Sequence, residues 1–214
     1  LHNYWLVEIL LALAATLVAT QYWHISRYRL QTPALLVTGG LLCLALAAAA
    51  GAYRYGIDPG ITGLHRALSR LSGAVSFLSI GLGLLWARLQ LPLGYRSRAP
   101  VYAIFALTVG SALGLAETTG FDAQSVNRLY SAVGVSLWLL VAAMELFGRH
   151  SLSRLQVLLL AAGALLVIIA GLFVGTGARR VLGLARINWF HLMLALGVMS
   201  LLCALPIFRR EKNK

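Results

Sequence analysis

Seven apolar runs alternate with short polar segments along the chain, at about residues 4–22, 34–52, 64–86, 101–116, 127–147, 155–174 and 188–208. About twenty apolar residues in a helix cross the hydrocarbon core of a bilayer, so each run predicts one spanning helix. The breaks carry suitable signals. His24, Arg27 and Arg29 follow the first run, and Tyr53 to Gly60 is a turn-rich segment after the second. Pro33 stands at a helix start, where its missing N–H costs nothing. Trp5 and Trp23 flank the first run as interface anchors. The expected fold is all-α: one polytopic domain, residues 1–214, built as a seven-transmembrane-helix bundle.

The third run has a second pattern inside it. Thr62, His65, Ser69, Ser72, Ser76, Ser79 and Gly83 recur at steps of three and four, which places them on one helix face. This predicts that the third helix is central to the bundle, with a small-residue seam and a histidine at one end. The serines are either a packing seam or the lining of a polar path. Gly110 with Gly114, and Gly171 with Gly175, have the spacing of close helix contacts.

Composition agrees with the pattern. Of 214 residues 60% are hydrophobic and only 11% charged, where a soluble domain carries about a quarter. The formal charge of +12 does not call for nucleic acid, because the arginines flank apolar runs, where topology and anionic headgroups account for them. Cys43 and Cys203 lie singly within apolar runs, so neither a disulfide nor a cysteine metal knuckle is expected. The first run lacks a basic leader and a small-residue cleavage site, and reads as a retained span.

Charge sets the expected orientation. With seven crossings, Arg54, Arg66, Arg70, Arg128, Arg179, Arg180 and Arg186 fall on the N-terminal side, and the other eleven of the eighteen basic residues on the opposite side. The positive-inside rule puts the N-terminus outside and the C-terminus in the cytoplasm. A bacterial inner (plasma) membrane is the expected location.

The same topology gathers polar residues at the N-terminal side, among them Glu8, Asp58, Glu117 and Asp122. His65 and His191 reach that side at similar depth on facing helices, and Asn188 lies one turn before His191. Two imidazoles so placed can ligate a haem iron axially, with Arg66 and Arg70 available to the propionates. The alternative ligand set is His65, His191, His2 and Glu8 around zinc or another metal. Two interfacial histidines bonded to loop carbonyls, with no cofactor, remain the third reading. Glu145, four residues before Arg149, forms a favourable helical pair, and reads as structural.

Several signatures are absent. No HExxH, GxSxG, P-loop or strand-linked GxGxxG occurs. No lysine falls within a run, which excludes a retinal Schiff base. Seven-helix metal hydrolases of the adiponectin-receptor and alkaline-ceramidase kind place an HxxxH pair on the last helix, where this chain has His191 alone. The segment Leu64-His65-Arg66-Ala67-Leu68-Ser69-Arg70 is similar to the His-Arg opening of haem helices in some bacterial cytochrome b-type membrane proteins, over those few residues.

The functional expectations are therefore three. The first is a b-type haem protein passing electrons between a quinol or small carrier and a redox or membrane-complex partner. The second is a non-enzymatic membrane module: a transporter, a sensor or a subunit of a larger complex. The third is a metal-dependent lipid enzyme using His65, His191 and Glu8.

Overall fold

The computed structural model describes residues 4–29, 31–91, 97–118, 122–148, 151–177 and 179–209. The apolar runs become α1 (Tyr4–Arg29), α2 (Thr32–Gly56), α3 (Thr62–Leu89), α4 (Ala99–Thr118), α5 (Ala123–Phe147), α6 (Arg154–Ile169) and α7 (Arg186–Ser200), and a short α8 (Leu205–Arg209) follows. A wide helical turn, Ala170–Val174, continues α6, and a tight turn, Leu201–Ala204, links α7 to α8. Six helical segments are long and apolar enough to cross a membrane: Tyr4–Arg27, Thr32–Gly56, Pro59–Leu89, Gln124–Phe147, Arg154–Val174 and Arg186–Arg209. The fourth run gives a shorter apolar helix, Ala99–Leu115. The chain is thus an all-α protein with the helices of a membrane protein. Its outward faces are apolar as a bilayer requires, with Leu13, Leu17, Leu46, Leu158 and Leu165 exposed.

Local chemistry explains several helix ends. Pro33 occupies the first turn of α2, where no intrahelical N–H is missed. Ser153 and Gln156 form a reciprocal capping box at α6, satisfying two otherwise orphaned N–H groups. Asp122 caps α5, accepting from the Ser125 N–H at 2.7 Å. Between α6 and α7 lies an element the apolar pattern did not signal. Two short antiparallel strands, β1 (Arg180–Val181) and β2 (Leu184–Ala185), are joined by Leu182 and Gly183, both at positive φ. That is the twist a two-residue hairpin requires.

The helices close into a ring. α1 packs on α2, α2 on α3, α3 on α5, α5 on α6, α6 on α7, and α7 back on α1. α4 lies against α3, α5 and α2 from outside. The third helix is therefore a ring member packed chiefly between α2 and α5, not the hub that its polar stripe suggested. Its lower serines do form a seam. Ser76 and Ser79 are fully buried, and Gly40 of α2 sits directly on them.

The glycines that let helices touch are also not the predicted pairs. Gly110, Gly114 and Gly171 have open space where a side chain would go, and Gly175 ends a helix at positive φ. The close crossings are Gly81 on Gly134, between α3 and α5, and Gly163 on Gly197, between α6 and α7. A Cβ at Gly81 would collide with the Gly134 carbonyl. Spacing within one helix cannot show which glycine meets a neighbour; that depends on both faces at the crossing.

One end of the ring is filled. Trp138 and Tyr22 are fully buried, the Tyr22 hydroxyl donates to the Leu201 carbonyl at 2.8 Å, and its ring meets Phe208 edge-on. Here Glu145 of α5 pairs with Arg88 of α3. The expected partner, Arg149, lies outside the described residues. The other end, where α1, α3 and α7 begin and α2 ends, is open.

Candidate functional site

At the open end the ring encloses a cavity of about 410 Å³, with walls from α1, α2, α3, α5, α7 and the loop before α7. Among its lining residues are Glu8, His65 and His191. Three residues distant in sequence thus meet at the end the topology assigned to them. Ser69 and Ser72 line it as well, so the upper serines of α3 face the cavity while the lower ones pack. Ser72 and Ser76 hydroxyls join these two groups, 2.9 Å apart.

Glu8 lies in the second turn of α1 and is only 2% exposed. Its carboxylate sits on Gly51 of α2, where a Cβ would come within 2.5 Å of Oε1. On its other side, Oε1 is 3.5 Å from His191 Nε2. That distance is within reach of an ion pair but long for a hydrogen bond. An isolated buried carboxylate is costly. One proton shared between carboxyl and imidazole leaves a pair of zero net charge. His191 Nδ1 is buried without a well-formed hydrogen bond, and the Ile187 carbonyl one turn earlier is its polar neighbour.

His65 is half-buried at the rim. Its Nδ1 lies 3.2 Å from Arg54 Nη1. A guanidinium can only donate, so Nδ1 accepts and the neutral ring carries its proton on Nε2. Arg54 also reaches the Tyr55 hydroxyl at 3.3 Å, and its guanidinium carbon stands 4.8 Å from the centre of the Tyr55 ring. Tyr55 meets His65 edge-on and lines the cavity. The rim is therefore a cluster of one cation, one imidazole and one phenol.

The remaining expected residues are placed differently. Arg66 and Arg70 are exposed and do not line the cavity. Asn188 is 9% exposed, with its Oδ1 buried and unpartnered, and is not part of the wall. His2 lies outside the described residues, as does the Glu117 side chain. Asp122 is exposed and caps α5. Asp58 accepts from the Gly60 N–H at 2.7 Å and shapes the turn before α3. Among the described residues, no three His, Cys, Asp or Glu side chains are grouped closely enough to hold a metal ion.

Arg54 and Tyr55 are the residues that sequence reasoning did not single out. The second run was expected to end near Ala52, leaving both in a loop. Helix α2 instead continues to Gly56, and its last turn carries Tyr55 into the wall and Arg54 against His65 behind it. The uninterrupted pattern from Ala47 to Tyr55, with no Pro and a glycine only at Gly51, was the available signal. Thr176 and Phe77 also enter the wall. Thr176 lies outside every apolar run, and Phe77 lies within the third run with nothing in the pattern to set it apart.

The chain matches no protein family, no curated protein and no solved structure.

Proposed function

We propose that this chain is an integral membrane protein whose cavity holds a small molecule and exchanges a proton with it through the Glu8–His191 pair. The observation that carries this reading is the buried carboxyl set loosely against an imidazole in the cavity wall. Ionisable groups inside membrane domains are costly, and those facing an interior cavity mark substrate or proton pathways. A carboxyl–imidazole pair can take up or release one proton without stranding a buried charge. This fits a transporter or ligand-responsive module, and equally a proton-transfer enzyme. In our reading α4 makes a seventh crossing, and the arginine bias turns the cavity outward from the cytoplasm. With Cys43 and Cys203 replaced, labelling of single cysteines placed at the exposed Asp58 and Arg98 from opposite sides of sealed vesicles tests that orientation.

Infrared difference spectroscopy of the purified protein in lipid tests the proton reading. A titrating carboxyl band should vanish in Glu8→Gln and shift in His191→Ala. A band that survives Glu8→Gln, or ignores His191→Ala, removes the pair from the mechanism.

A b-type haem is the second reading, favoured by His65 and His191 standing on two walls of one cavity. It requires a free lone pair on each ligating nitrogen. His65 as positioned by Arg54 offers an N–H at Nε2, so it would first have to leave Arg54. A histidine that ligates metal instead donates its second nitrogen to an acceptor. The visible spectrum of the same sample decides: a Soret band lost in His65→Ala would restore haem over the proton reading.

A further inference from the structure

The geometry points to an anionic single-chain amphiphile, a chain with a carboxylate or phosphate head, as the molecule this cavity takes. The inference rests on the cavity being a ligand site, as proposed above, and adds the chemistry of the ligand.

The first argument is shape. On α3 the lining runs from His65 to Phe77, and on α2 from Tyr55 to Leu44. At 1.5 Å per residue these stretches cover about 18 Å and about 16 Å of helix axis. A cavity of about 410 Å³ drawn out over that length is long and narrow. It suits an extended chain better than a compact ring system. It also lies within the usual range of small-molecule sites, about 300–1,000 Å³.

The second argument is the order of chemistry along that length. Tyr55 and His65 line the rim, and Arg54, outside the lining itself, is held beside it by hydrogen bonds to both. Glu8 abuts Gly51, one turn below Tyr55 on α2, and Ser69 and Ser72 descend on α3. Beneath them the lining is Leu44, Phe77 and Leu194. Polarity extends down to Ser72 and to Ser131 of α5, whose hydroxyl donates to the Gly73 carbonyl, and only the floor beneath them is apolar. A ligand with one polar end and one hydrocarbon end matches both parts. A wholly polar solute would leave the floor unmatched, and a plain hydrocarbon would bury the rim groups without partners.

The third argument is charge. Arg54 has His65 and Tyr55 as hydrogen-bonding partners, and the salt bridges found among the described residues do not include it. Its half-buried guanidinium is therefore hydrogen-bonded by neutral groups, while its charge also acts on the buried Glu8 carboxyl, with which it forms no salt bridge. The His65 Nε2–H and the Tyr55 hydroxyl add donors beside it. A planar, forked donor whose hydrogen-bonding partners are neutral suits a carboxylate or phosphate head. Arg66, Arg70, Arg179 and Arg180 are exposed around the same end and would raise the local concentration of anions.

The test uses the full chain in lipid nanodiscs and a laurate analogue with a diazirine at its chain end. After photolysis, the label is expected on peptides containing Leu44 or Phe77. Free laurate and dodecyl phosphate should compete, and their ranking tells carboxylate from phosphate. Dodecanol should compete at least about tenfold less well, since a charge-assisted hydrogen bond contributes about 1.5–3 kcal/mol and each 1.4 kcal/mol is a factor of ten. Arg54→Gln should cut labelling by a similar factor, while Arg54→Lys keeps the charge and most of the labelling, which guards against simple misfolding. Equal competition by dodecanol, or full labelling of Arg54→Gln, overturns the anion assignment. Label confined to outward peptides, such as that containing Leu13 and Leu17, overturns the chain assignment. The infrared titration of Glu8 on the same nanodiscs is independent, so failure of this inference is separable from failure of the proton reading.

Discussion

Among the described residues two carboxylates are buried, one near each end of the bundle, and they are held in opposite ways. Glu145 is fully buried, and its partners are fixed. Arg88 pairs with it across the α3–α5 contact, and its Oε2 accepts from the Ser151 N–H at 2.6 Å and the Leu152 N–H at 3.2 Å. Arg88 also donates to the Met144 carbonyl. Glu8 is nearly as buried, yet it has one imidazole at 3.5 Å, the charge of Arg54 acting on it without a salt bridge, a glycine beneath it and a cavity in front. Burial by itself therefore does not mark a working group. A carboxylate whose oxygens are taken up by a cation and backbone N–H groups is a rivet. One that is under-partnered and borders a cavity is free to bind or to change its proton.

The strongest way to break this comparison is at the rivet. Removing one member of a buried ion pair typically costs about 3–5 kcal/mol, because the survivor is left uncompensated. Glu145→Ala and Arg88→Ala should each lower thermal stability by that order, measured on protein in lipid. The double change Arg88→Met with Glu145→Leu should recover much of the loss, since apolar residues of similar volume replace a buried pair with little penalty. If the singles are silent, Glu145 is no more structural than Glu8 and the contrast fails.

A middle-sized effect is expected at the loose carboxylate. Gly51 is the residue that gives Glu8 its place, since any Cβ there meets the carboxylate. Gly51→Ala should cost about 1–3 kcal/mol as overpacking, and should move Glu8 relative to His191. The readout that separates this from plain destabilisation is the Glu8 carboxyl band, which should shift in Gly51→Ala. Gly163→Ala, crowded still more closely by Ser200 of α7, should destabilise without shifting it. A shift of equal size in both would mean that the band reports global loosening.

Much of this was legible in the chain, for reasons that also set the limit. Apolar runs of bilayer length fixed the helices, because length and hydropathy are properties of each helix alone. Alternating direction put Glu8, His65 and His191 at one end, because helix parity follows from counting. The ring order was not legible. It depends on which faces meet, and the glycines that decide this, Gly81 with Gly134 and Gly163 with Gly197, are far apart in sequence. The partner of Glu145 was missed for the same reason. The spacing rule looks along one helix, whereas Arg88 arrives from another. At the site, Arg54 and Tyr55 were lost to an assumed loop because α2 runs past its apolar stretch, and an amphipathic last turn carries no hydropathy signal.

The smallest effect concerns a third carboxylate, which sharpens the comparison because it is not buried at all. Asp122 is exposed at the start of α5, outside the apolar core of that helix. The Ser125 backbone N–H, with help from its hydroxyl, holds the Asp122 carboxyl below the usual carboxylate range. Its folded-state pKa is depressed, so the cap contributes fully above the unfolded value and is lost as pH falls through the folded one. Acidification should therefore fray the first turn of α5, seen as faster amide exchange at Ser125 and Val126. Asp122→Asn keeps a capping oxygen but cannot ionise, and should exchange at a rate independent of pH once the intrinsic acid dependence is divided out. Glu8 should behave otherwise, because its protonation is tied to His191 and the cavity rather than to a helix end. If acid changes exchange at α5 and the Glu8 band in step, the two ends of the bundle are coupled and the division into rivet, cap and working carboxylate must be redrawn.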